Sequence, residues 1–299
     1  MSIKTHSVLP QFEYIKPVTL SEASQFLADH IGTARPFLGG TDTFVRMRDG
    51  IWTDKFLLDV KGLPGTEQLS FSLESGLTIG AALSMNQVQA HAEVRSHYPL
   101  LVEAINSVAS YQLRSRATIV GNICNGSPAG DTIGACMLYN ASLKIHGLDG
   151  IRHEALRTFF TGPGKVKLNP GDIVISIELP VPPEGFCGTY RKLGRNKKGD
   201  LAIIGVTVGA WPDQTTTSGY RFELALASVA PTPLIVPEVE EILKEQEINP
   251  QRLKLAAVAA MQASRPIDDI RSSAQYRKMM VRNLSQQALK AVWKSIELS

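Results

Sequence analysis

Two glycine-containing segments constrain this chain more than any other feature of its sequence. The first is Leu38-Gly39-Gly40-Thr41-Asp42, and the second is TIVGNICNGSPAGD at residues 118–131, about eighty residues further on. Glycines let a backbone come close to a ligand, and the neighbouring hydroxyl, amide and carboxylate groups can hold polar oxygens. The two segments together predict a fold in which one extended, phosphate-bearing ligand is held from two sides.

The surroundings of the first segment favour this interpretation. Residues 35–38 are typical of a strand, and residues 43–48 of a brief helical turn that ends before Gly50. A strand–loop–helix unit exposes backbone N–H groups at the helix start, where anionic oxygen is stabilised. The spacing is neither that of a Rossmann G-x-G-x-x-G fingerprint nor that of a Walker A loop. Taken alone, the first segment also fits a plain turn, and the second fits an Asn/Gly-rich surface loop.

Charge and cysteine content exclude several classes of function. The 31 Lys and Arg residues nearly balance the 28 Asp and Glu residues, which argues against a general nucleic-acid-binding surface. The one short basic cluster is more typical of a solvated loop than of a polyanion site. Its members are Arg191, Lys192, Arg195, Lys197 and Lys198. The three cysteines have no close pairing, so neither a disulfide framework nor a metal site is expected on this chain.

The sequence contains no local signature of catalysis by side chains. Its six histidines are scattered without an H-E-x-x-H pair, and no Ser-His-Asp or Cys-His arrangement can be assembled. Any chemistry is therefore expected to come from a bound cofactor. No segment approaches the roughly 20 apolar residues that cross a bilayer, and the N-terminus lacks the apolar stretch of a signal peptide. We expect a soluble protein of a reducing compartment, the cytoplasm.

The order of strand and helix patterns predicts an α+β fold in two domains. Pro180, Pro182 and Pro183 interrupt the chain, so the domain boundary is placed there, between residues 1–181 and 182–299. The first domain mixes short helices with strands, including a hairpin joined by Asp149-Gly150. In the second domain, strands are predicted at 187–193, 201–211 and 220–228, followed by helices at 237–247, 250–263 and 272–297.

Several motifs together resemble a known family. LGGTD at 38–42 and TIVGNICNGSPAGD at 118–131 resemble the two FAD-binding signatures of the medium subunit of molybdenum-containing hydroxylases, the xanthine dehydrogenase and carbon monoxide dehydrogenase medium-subunit family. The resemblance covers essentially the whole chain, and it includes FFTGPGKVKLNPGDIVISIELP at 159–180, YRKLGR at 190–195, DLAI at 200–203 and SVAPTP at 228–233. It implies a two-lobed FAD-binding domain of the vanillyl-alcohol-oxidase (PCMH) type, with lobes of about 1–60 and 61–181. A C-terminal domain of antiparallel strands and helices would follow.

The resemblance also implies how FAD is held by the two glycine segments. Residues 35–42 would wrap the pyrophosphate, with backbone N–H groups and the Thr41 hydroxyl in contact. Residues 117–122 would approach the pyrophosphate from the other side, while Ser127 and Asp131 would hold ribityl or phosphate oxygens.

Further residues are assigned to FAD by the same resemblance. Ile173 and Val174 match positions that line the adenine or the flavin, and Leu201 matches an apolar residue against the isoalloxazine face. Lys192, or its neighbour Arg191, falls where a basic residue lies near the pyrimidine end of the ring. The expected cofactor-binding residues are Arg35, Pro36, Phe37, Leu38, Gly39, Gly40, Thr41, Asp42, Ala117, Thr118, Ile119, Gly121, Asn122, Ser127, Asp131, Ile173, Val174, Lys192 and Leu201. No residue is expected to act on an organic substrate.

By this resemblance the chain is an electron-transfer subunit of a larger enzyme. A large partner would carry a molybdopterin-type molybdenum cofactor and a small partner two 2Fe-2S clusters, in a dimer of heterotrimers. Electrons would reach FAD on this chain and leave to NAD+ or another acceptor. TGPGK at 161–165 looks closest to the xanthine dehydrogenase-like branch, which favours a purine or related N-heterocycle. Two alternatives stay open: a self-contained FAD oxidoreductase of the vanillyl-alcohol oxidase kind, and a flavin-free assembly module.

The chain departs from the family pattern at Val120. The family usually has Thr-Ile-Gly-Gly-Asn here, whereas Val120 stands in place of the first glycine. A β-branched residue does not readily take a positive φ, so we expect ordinary backbone angles at Val120 and FAD contact through Gly121 and Asn122. The cysteine-bearing insertion of a branch with an extra iron–sulfur cluster is absent from the sequence.

Overall fold

The computed structural model describes residues 9–196 and 199–297. Lys197 and Lys198 of the basic cluster, and the N-terminal residues searched for a signal peptide, lie outside the described residues. No helix in the described ranges is long and apolar enough to cross a membrane.

The first part of the chain forms a small parallel sheet with two helices. Its elements in chain order are β1 (Glu13–Ile15), α1 (Leu20–Asp29), β2 (Ala34–Phe37), α2 (Thr43–Arg48) and β3 (Phe56–Asp59). The strand β3 is central, and both β1 and β2 run parallel to it. Thr19 caps α1 by accepting the N–H of Glu22, as the T-x-x-E spacing predicts.

The middle of the chain forms a five-stranded antiparallel sheet covered by short helices. Its elements are β4 (Leu69–Ser72), β5 (Gly76–Gly80), α3 (Met85–Ala90), α4 (Ala92–His97), α5 (Pro99–Ser107), α6 (Tyr111–Arg114), α7 (Ile119–Cys124), α8 (Ile133–Leu138), β6 (Ser142–Gly147), β7 (Gly150–Ala155), β8 (Phe160–Gly162), β9 (Lys165–Val166) and β10 (Ile173–Leu179). The sheet order is β4-β5-β10-β6-β7, and β8 pairs with β9. The predicted hairpin is β6–β7. Apolar residues of this sheet and its helices form the largest buried core of the described chain.

The last part of the chain is a four-stranded antiparallel sheet against three helices. Its elements are β11 (Cys187–Leu193), β12 (Ile204–Pro212), β13 (Tyr220–Ala227), β14 (Leu234–Ile235), α9 (Pro237–Lys244), α10 (Pro250–Ala263) and α11 (Ala274–Glu297). The strands lie in sequence order, and the helices bury their apolar faces on the sheet. The predicted α+β fold class is confirmed.

The predicted strand at 201–211 begins later than expected. Leu201 lies in the loop before β12 and is 62% exposed. Asp200 explains this loop, because its carboxylate accepts the backbone N–H groups of Leu201 and of Arg195. Those hydrogen bonds hold the chain in a turn and delay the strand until Ile204.

The second glycine segment is helical in its first half, so the alternative of an Asn/Gly-rich surface loop is wrong for that half. Residues 119–124 form α7, whose N-cap is Thr118: the Thr118 hydroxyl accepts the N–H of Gly121 at 2.9 Å. Ile119, Val120 and Ile123 are buried in the main core, and this burial outweighs the poor helix propensity of Gly and Asn. Val120 is helical and has no positive φ, so the expectation of ordinary backbone angles is confirmed.

The middle and last parts of the chain pack closely against each other. The helix α8 lies on β12 and β13, and a Cβ on Gly134 would overlap the Thr207 hydroxyl of β12. α8 begins at Ile133, and Asp131, two residues before it, accepts hydrogen bonds from side chains of β11. This close approach brings the β11–β12 loop to the second glycine segment.

Candidate functional site

The two glycine segments meet at a cleft of about 490 Å³. Its walls come from the β2–α2 segment, from α7 and the residues around it, from the start of β10 and from the β11–β12 loop. All three parts of the chain therefore contribute to one concave site, which is where ligands are expected to bind.

Direct contacts join the two glycine segments. Gly39 lies against the backbone of Arg116, and a Cβ at this position would overlap the Arg116 carbonyl oxygen. The side-chain amide of Asn125 donates to the Asp42 carboxylate at 3.1 Å. Gly39 thus permits the close approach of the first segment to the residues that lead into the second.

Most of the residues predicted from the sequence come together in the cleft. Those that line it are Arg35, Pro36, Leu38, Gly39, Gly40, Thr41, Asp42, Ala117, Thr118, Gly121, Asn122, Asp131, Ile173, Val174 and Leu201. Phe37 and Ile119 are buried beneath the cleft surface, with 4% and 1% exposure. Their side chains support the walls, since both belong to buried apolar clusters.

Ser127 and Lys192 do not line the cleft, and each has a partner within the chain. The Ser127 hydroxyl accepts the N–H of Ala129 at 3.2 Å. The Lys192 ammonium donates to the Asp131 carboxylate at 2.8 Å. The expected free cation next to the ligand is therefore paired with an acid of the cleft wall.

Asp131 accepts hydrogen bonds from two side chains of β11. One carboxylate oxygen accepts the Tyr190 hydroxyl at 2.6 Å and the other accepts the Lys192 ammonium at 2.8 Å. Burial raises the pKa of the Asp131 carboxyl, and the charge of Lys192 opposes that shift. Burial, together with the neighbouring Asp131, raises the pKa of Tyr190 well above its usual value, so Tyr190 stays a hydrogen-bond donor.

Arg35 is fixed at one edge of the cleft by an acid and an aromatic ring. Its guanidinium donates to Asp54 at 2.7 Å and lies 3.7 Å from the centroid of the Trp52 ring. Trp52 also lines the cleft and was not predicted from the sequence. The sequence around Trp52 does not indicate a binding residue, because the indole reaches Arg35 of β2 only in the folded chain.

Asp172 is a second unpredicted residue of the cleft. Both of its carboxylate oxygens accept from Arg152 on β7, at 2.7 and 2.8 Å, and the pKa of Arg152 is raised by this pairing. The ion pair fixes the start of β10, where Ile173 and Val174 line the cleft. The motif NPGD at 169–172 was quoted for the resemblance, but it gave no indication of this role.

Asn125 provides the clearest indication that the cleft accommodates a ligand. Its amide nitrogen is assigned by the donation to Asp42, which can only accept. Its Oδ1 is buried and has no hydrogen-bond partner, although Asn125 lines the cleft. A buried acceptor without a donor is costly, and a hydroxyl or amino group of a ligand such as FAD would satisfy it.

The acids that line the cleft are all hydrogen-bonded within the described chain. The pairs are Asp42 with Asn125, Asp131 with Tyr190 and Lys192, Asp172 with Arg152, and Asp200 with Arg195. Hydrogen bonding to Arg195 lowers the pKa of Asp200 to about 2, and burial raises the pKa of the Cys124 thiol to about 12. Cys124 is therefore protonated and a poor nucleophile at neutral pH. The described residues also contain no cluster of His, Cys, Asp and Glu able to hold a metal ion.

Two family models match the chain. The FAD binding domain in molybdopterin dehydrogenase matches residues 10–182, and the CO dehydrogenase flavoprotein C-terminal domain matches residues 188–292. The carbon monoxide dehydrogenase medium chain of Hydrogenophaga pseudoflava is 30% identical over 286 residues, which is 95% of this chain and 98% of that protein. The xanthine dehydrogenase FAD-binding subunit of Escherichia coli O157:H7 is 28% identical over 277 residues, 92% of this chain and 94% of that protein.

A solved structure has the same fold. The carbon monoxide dehydrogenase of Hydrogenophaga pseudoflava that lacks the Mo-pyranopterin moiety of its molybdenum cofactor contains a chain that superposes with a TM-score of 0.91. The two chains are 28% identical, and the match covers 96% of this chain and 99% of that one.

The fold and the cleft define a flavoprotein subunit of an oxidoreductase. The chain belongs to the family of FAD-binding medium subunits of molybdenum hydroxylases. The predictions of family, of FAD as the cofactor of this chain, of an FAD-binding domain with a C-terminal α+β domain and of an oxidoreductase subunit are thus confirmed.

Proposed function

We propose that this chain is the electron-transfer subunit of a xanthine dehydrogenase-like molybdenum hydroxylase. A small partner with two 2Fe-2S clusters delivers electrons, and a large partner with a molybdopterin-type molybdenum cofactor hydroxylates the substrate. FAD supplies the step from one-electron carriers to a two-electron acceptor, which we take to be NAD+. The medium subunits named among the relatives support this arrangement, and we infer a dimer of heterotrimers in the cytoplasm.

The state of the cleft acids is the observation that carries this proposal. A self-contained oxidase needs a side chain that takes a proton from its organic substrate. Each acid that lines the described cleft already accepts hydrogen bonds from the chain itself. Three of the four are ion-paired with basic side chains of the chain, and this suits a cofactor that exchanges electrons with other proteins better than it suits proton removal from a substrate.

The lining of the cleft supports the proposed assignment of the FAD-binding residues. We infer that the pyrophosphate lies between residues 38–42 and 118–122, where backbone N–H groups at the start of α7 favour an anion. Asn125 is added to the expected residues, because its unpaired Oδ1 can accept from a hydroxyl of the ligand. Val174 and Leu201 provide apolar surface for the rings.

The chain is further inferred to consist of an FAD-binding domain at 1–181, with lobes of about 1–60 and 61–181, and a flavoprotein domain at 182–299. The separate sheets on either side of residue 60 support the two lobes. The first family model ends at residue 182 and the second begins at residue 188, which supports the proposed domain boundary. TGPGK at 161–165 and the similarity to a xanthine dehydrogenase subunit favour a purine or related N-heterocycle as the substrate of the complex.

Anaerobic absorption spectroscopy of the purified chain tests the proposal. The oxidised chain is expected to show flavin bands at about 370 and about 450 nm. NADH is expected to bleach the 450 nm band of the isolated chain, since the acceptor site lies on this chain. Xanthine or a related heterocycle is expected to leave it unchanged until the two partner subunits are added.

Each alternative predicts a different result in this experiment. Bleaching by an organic substrate without partners would identify a self-contained FAD oxidoreductase. A chain that neither carries flavin nor takes it up from solution would be an assembly module. Bleaching by a reduced carrier other than NADH would keep the electron-transfer function and exclude NAD+ as the acceptor.

A further inference from the structure

A group of exposed apolar side chains lies where α10 is joined to α11. The joining loop carries Ile267 and Ile270, which are 69% and 98% exposed. The first turns of α11 carry Tyr276 and Met279, which are 42% and 45% exposed and share a helix face because they are three residues apart. Single exposed apolar residues are normal, whereas a group of them marks a contact with another molecule. These four side chains are called the 267–279 patch.

Two acids hold the loop of the patch in a fixed conformation. The Asp269 carboxylate accepts the backbone N–H of Arg271 at 2.8 Å and the guanidinium of Arg277 at 2.6 Å. The Asp268 carboxylate accepts the N–H of Ala274, at the start of α11, at 2.6 Å. The exposed isoleucines therefore lie on a preorganised loop, and little conformational entropy is lost when a partner covers them.

The patch lies beside the mouth of the cleft. Arg271, in the loop of the patch, donates to the carbonyl oxygen of Ala202 at 3.4 Å. The same carbonyl oxygen accepts the Ser228 hydroxyl at 2.8 Å, and the Ser228 carbonyl oxygen accepts from Arg277 of α11. Ala202 follows Leu201, which lines the cleft and is 62% exposed. A molecule that covers the patch therefore also lies close to whatever occupies the cleft.

The surroundings of the patch are basic. Residues 265–282 contain five basic and two acidic residues, an excess of three positive charges that equals the net charge of the whole chain. The two acids are bonded within the loop, whereas Arg265 and Lys278 are exposed and form no ion pair within the described residues. An apolar centre that includes Tyr and Met is typical of a protein–protein contact, and the basic rim complements an acidic partner.

We propose that the 267–279 patch docks the small 2Fe-2S partner subunit. The inference rests on the proposed function, in which that partner delivers electrons to FAD in the cleft. A 2Fe-2S cluster held by four cysteine thiolates is anionic, since two Fe³⁺ do not balance two sulfides and four thiolates. The rate of electron transfer falls steeply with distance, so the cluster has to approach the mouth of the cleft. The patch provides both the position and the opposite charge for this approach.

Binding of the isolated small subunit to the full-length, FAD-loaded chain tests this inference, with surface plasmon resonance at low and high salt as the measurement. Ile267→Ser/Ile270→Ser removes the apolar centre, and Lys278→Glu reverses a charge of the rim. Leu73→Ser is the apolar control, because Leu73 is 76% exposed in the turn between β4 and β5. Lys290→Glu is the charge control, because Lys290 is an exposed lysine of the same helix, about 18 Å further along it.

The two patch variants are expected to weaken binding in different ways. Ile267→Ser/Ile270→Ser should raise the dissociation constant about tenfold or more at both salt concentrations. Lys278→Glu should slow association about tenfold at low salt, and added salt should reduce this effect because it screens the charges. Each control variant should bind within about twofold of the wild type. Circular dichroism and flavin absorbance establish that every variant is folded and carries FAD.

Reduction of the flavin provides a second measurement. Each reduced cluster gives one electron, so a small subunit with two reduced clusters supplies the two electrons that reduce FAD, together with two protons from solvent. Bleaching of the flavin by the reduced small subunit, at concentrations below the dissociation constant, should slow in both patch variants. Bleaching by dithionite needs no docked protein and should proceed at the wild-type rate.

Three results overturn the inference. They are wild-type affinity in both patch variants, an equal loss of affinity in the controls, and patch variants that keep the small subunit but lose the large subunit or the self-association of the chain. The third result would assign the patch to a different occupant. Failure of the wild-type chain to bind the small subunit or to take electrons from it would instead overturn the proposed function, so the two failures are distinguishable.

Discussion

Gly39 and Gly121 both line the cleft, and each position requires a glycine for a different physical reason. Gly39 has no side chain because the backbone of Arg116 occupies that space. Gly121 lies in α7, where a Cβ would come within 2.8 Å of the Thr118 hydroxyl that caps the helix. The first glycine permits contact between two segments, and the second preserves a helix start. Neither Gly39 nor Gly121 has a positive φ, so backbone freedom is not the reason for glycine at these positions. Gly40 does have a positive φ.

We expect Gly39→Ala to give a folded chain that no longer retains FAD. The added methyl group would overlap the Arg116 carbonyl oxygen, so the two glycine segments would move apart. The flavin-to-protein absorbance ratio of the purified variant measures this. Gly62→Ala is the control, because a Cβ on Gly62 meets nothing within 4 Å. Full flavin content in Gly39→Ala would show that the contact between the segments is not required.

Val120→Gly, which restores the glycine usual in the family, is expected to lower the stability of the chain, while the chain still binds FAD. Val120 is 2% exposed within a helix, so the change leaves a cavity and a flexible backbone. The free energy of unfolding should fall by about 2 to 4 kcal/mol, as measured by urea denaturation of the flavin-free chain. The FAD dissociation constant should rise no more than it does for Thr118→Val, although Val120 also lines the cleft, and a larger increase would assign the Val120 side chain to the ligand.

At the scale of the elements, short pieces of structure position the cleft. α7 has six residues and α2 has six, fewer than the 12 or so that make an isolated helix stable in water. Their stability comes from burial and from caps, so a change at a cap is transmitted to the ligand. The short strands β8, β9 and β14 likewise exist only through their pairing, and their sequences did not predict them.

Thr118→Val tests the cap of α7. The change keeps the shape of the side chain but removes the acceptor for the Gly121 N–H. The chain should lose about 1 kcal/mol of stability, and FAD binding should weaken because the start of α7 frays. Thr118→Ser keeps the hydroxyl and should behave like the wild type in both thermal unfolding and flavin titration. Impairment by Thr118→Ser but not by Thr118→Val would indicate that the methyl group, not the cap, is what matters.

At the scale of the whole molecule, a chain of hydrogen bonds joins the last helix to the second glycine segment. Arg277 of α11 is 2% exposed; it donates to Asp269 at 2.6 Å and to the carbonyl oxygen of Ser228 at 3.2 Å. Ser228 in turn donates its backbone N–H to the carbonyl oxygen of Pro128 at 2.8 Å. The motif SVAPTP at 228–233 thus begins with a residue that links the middle part of the chain to the last part.

Asp269→Asn should lower the stability of the chain in a pH-dependent manner. Hydrogen bonds and charge from Arg271 and Arg277 outweigh burial and lower the pKa of Asp269. A depressed pKa stabilises the fold above the pKa of the unfolded chain, about 3.9, and this contribution is lost as the pH falls through the folded-state value. The difference between wild type and variant should therefore be about 1 to 3 kcal/mol at pH 7 and shrink below about pH 4. Thermal unfolding across pH measures it, and a difference independent of pH would contradict the assignment.

Patterns within a few residues of one another predicted much of the molecule. The bounds of α10 and the presence of the β6–β7 hairpin follow from apolar spacing and turn residues, and the two glycine motifs identified the segments that form the cleft. The errors have two origins. The burial of α7 and the position of Trp52 depend on contacts with distant parts of the chain, which carry no local signal. The late start of β12 depends on short-range hydrogen bonds of Asp200, which the apolar pattern of the strand does not reveal.

The sequence by itself determined the family, the cofactor and the two backbone segments of the site, because these depend on residue types at fixed spacing. Only the tertiary structure decided what each residue does in the cleft. It assigns Gly39 to the contact with Arg116, leaves one oxygen of Asn125 without a partner and pairs Lys192 with Asp131 across two parts of the chain. The reason is physical: the free energy of a buried polar group depends on the groups that surround it, and those come from distant positions in the sequence.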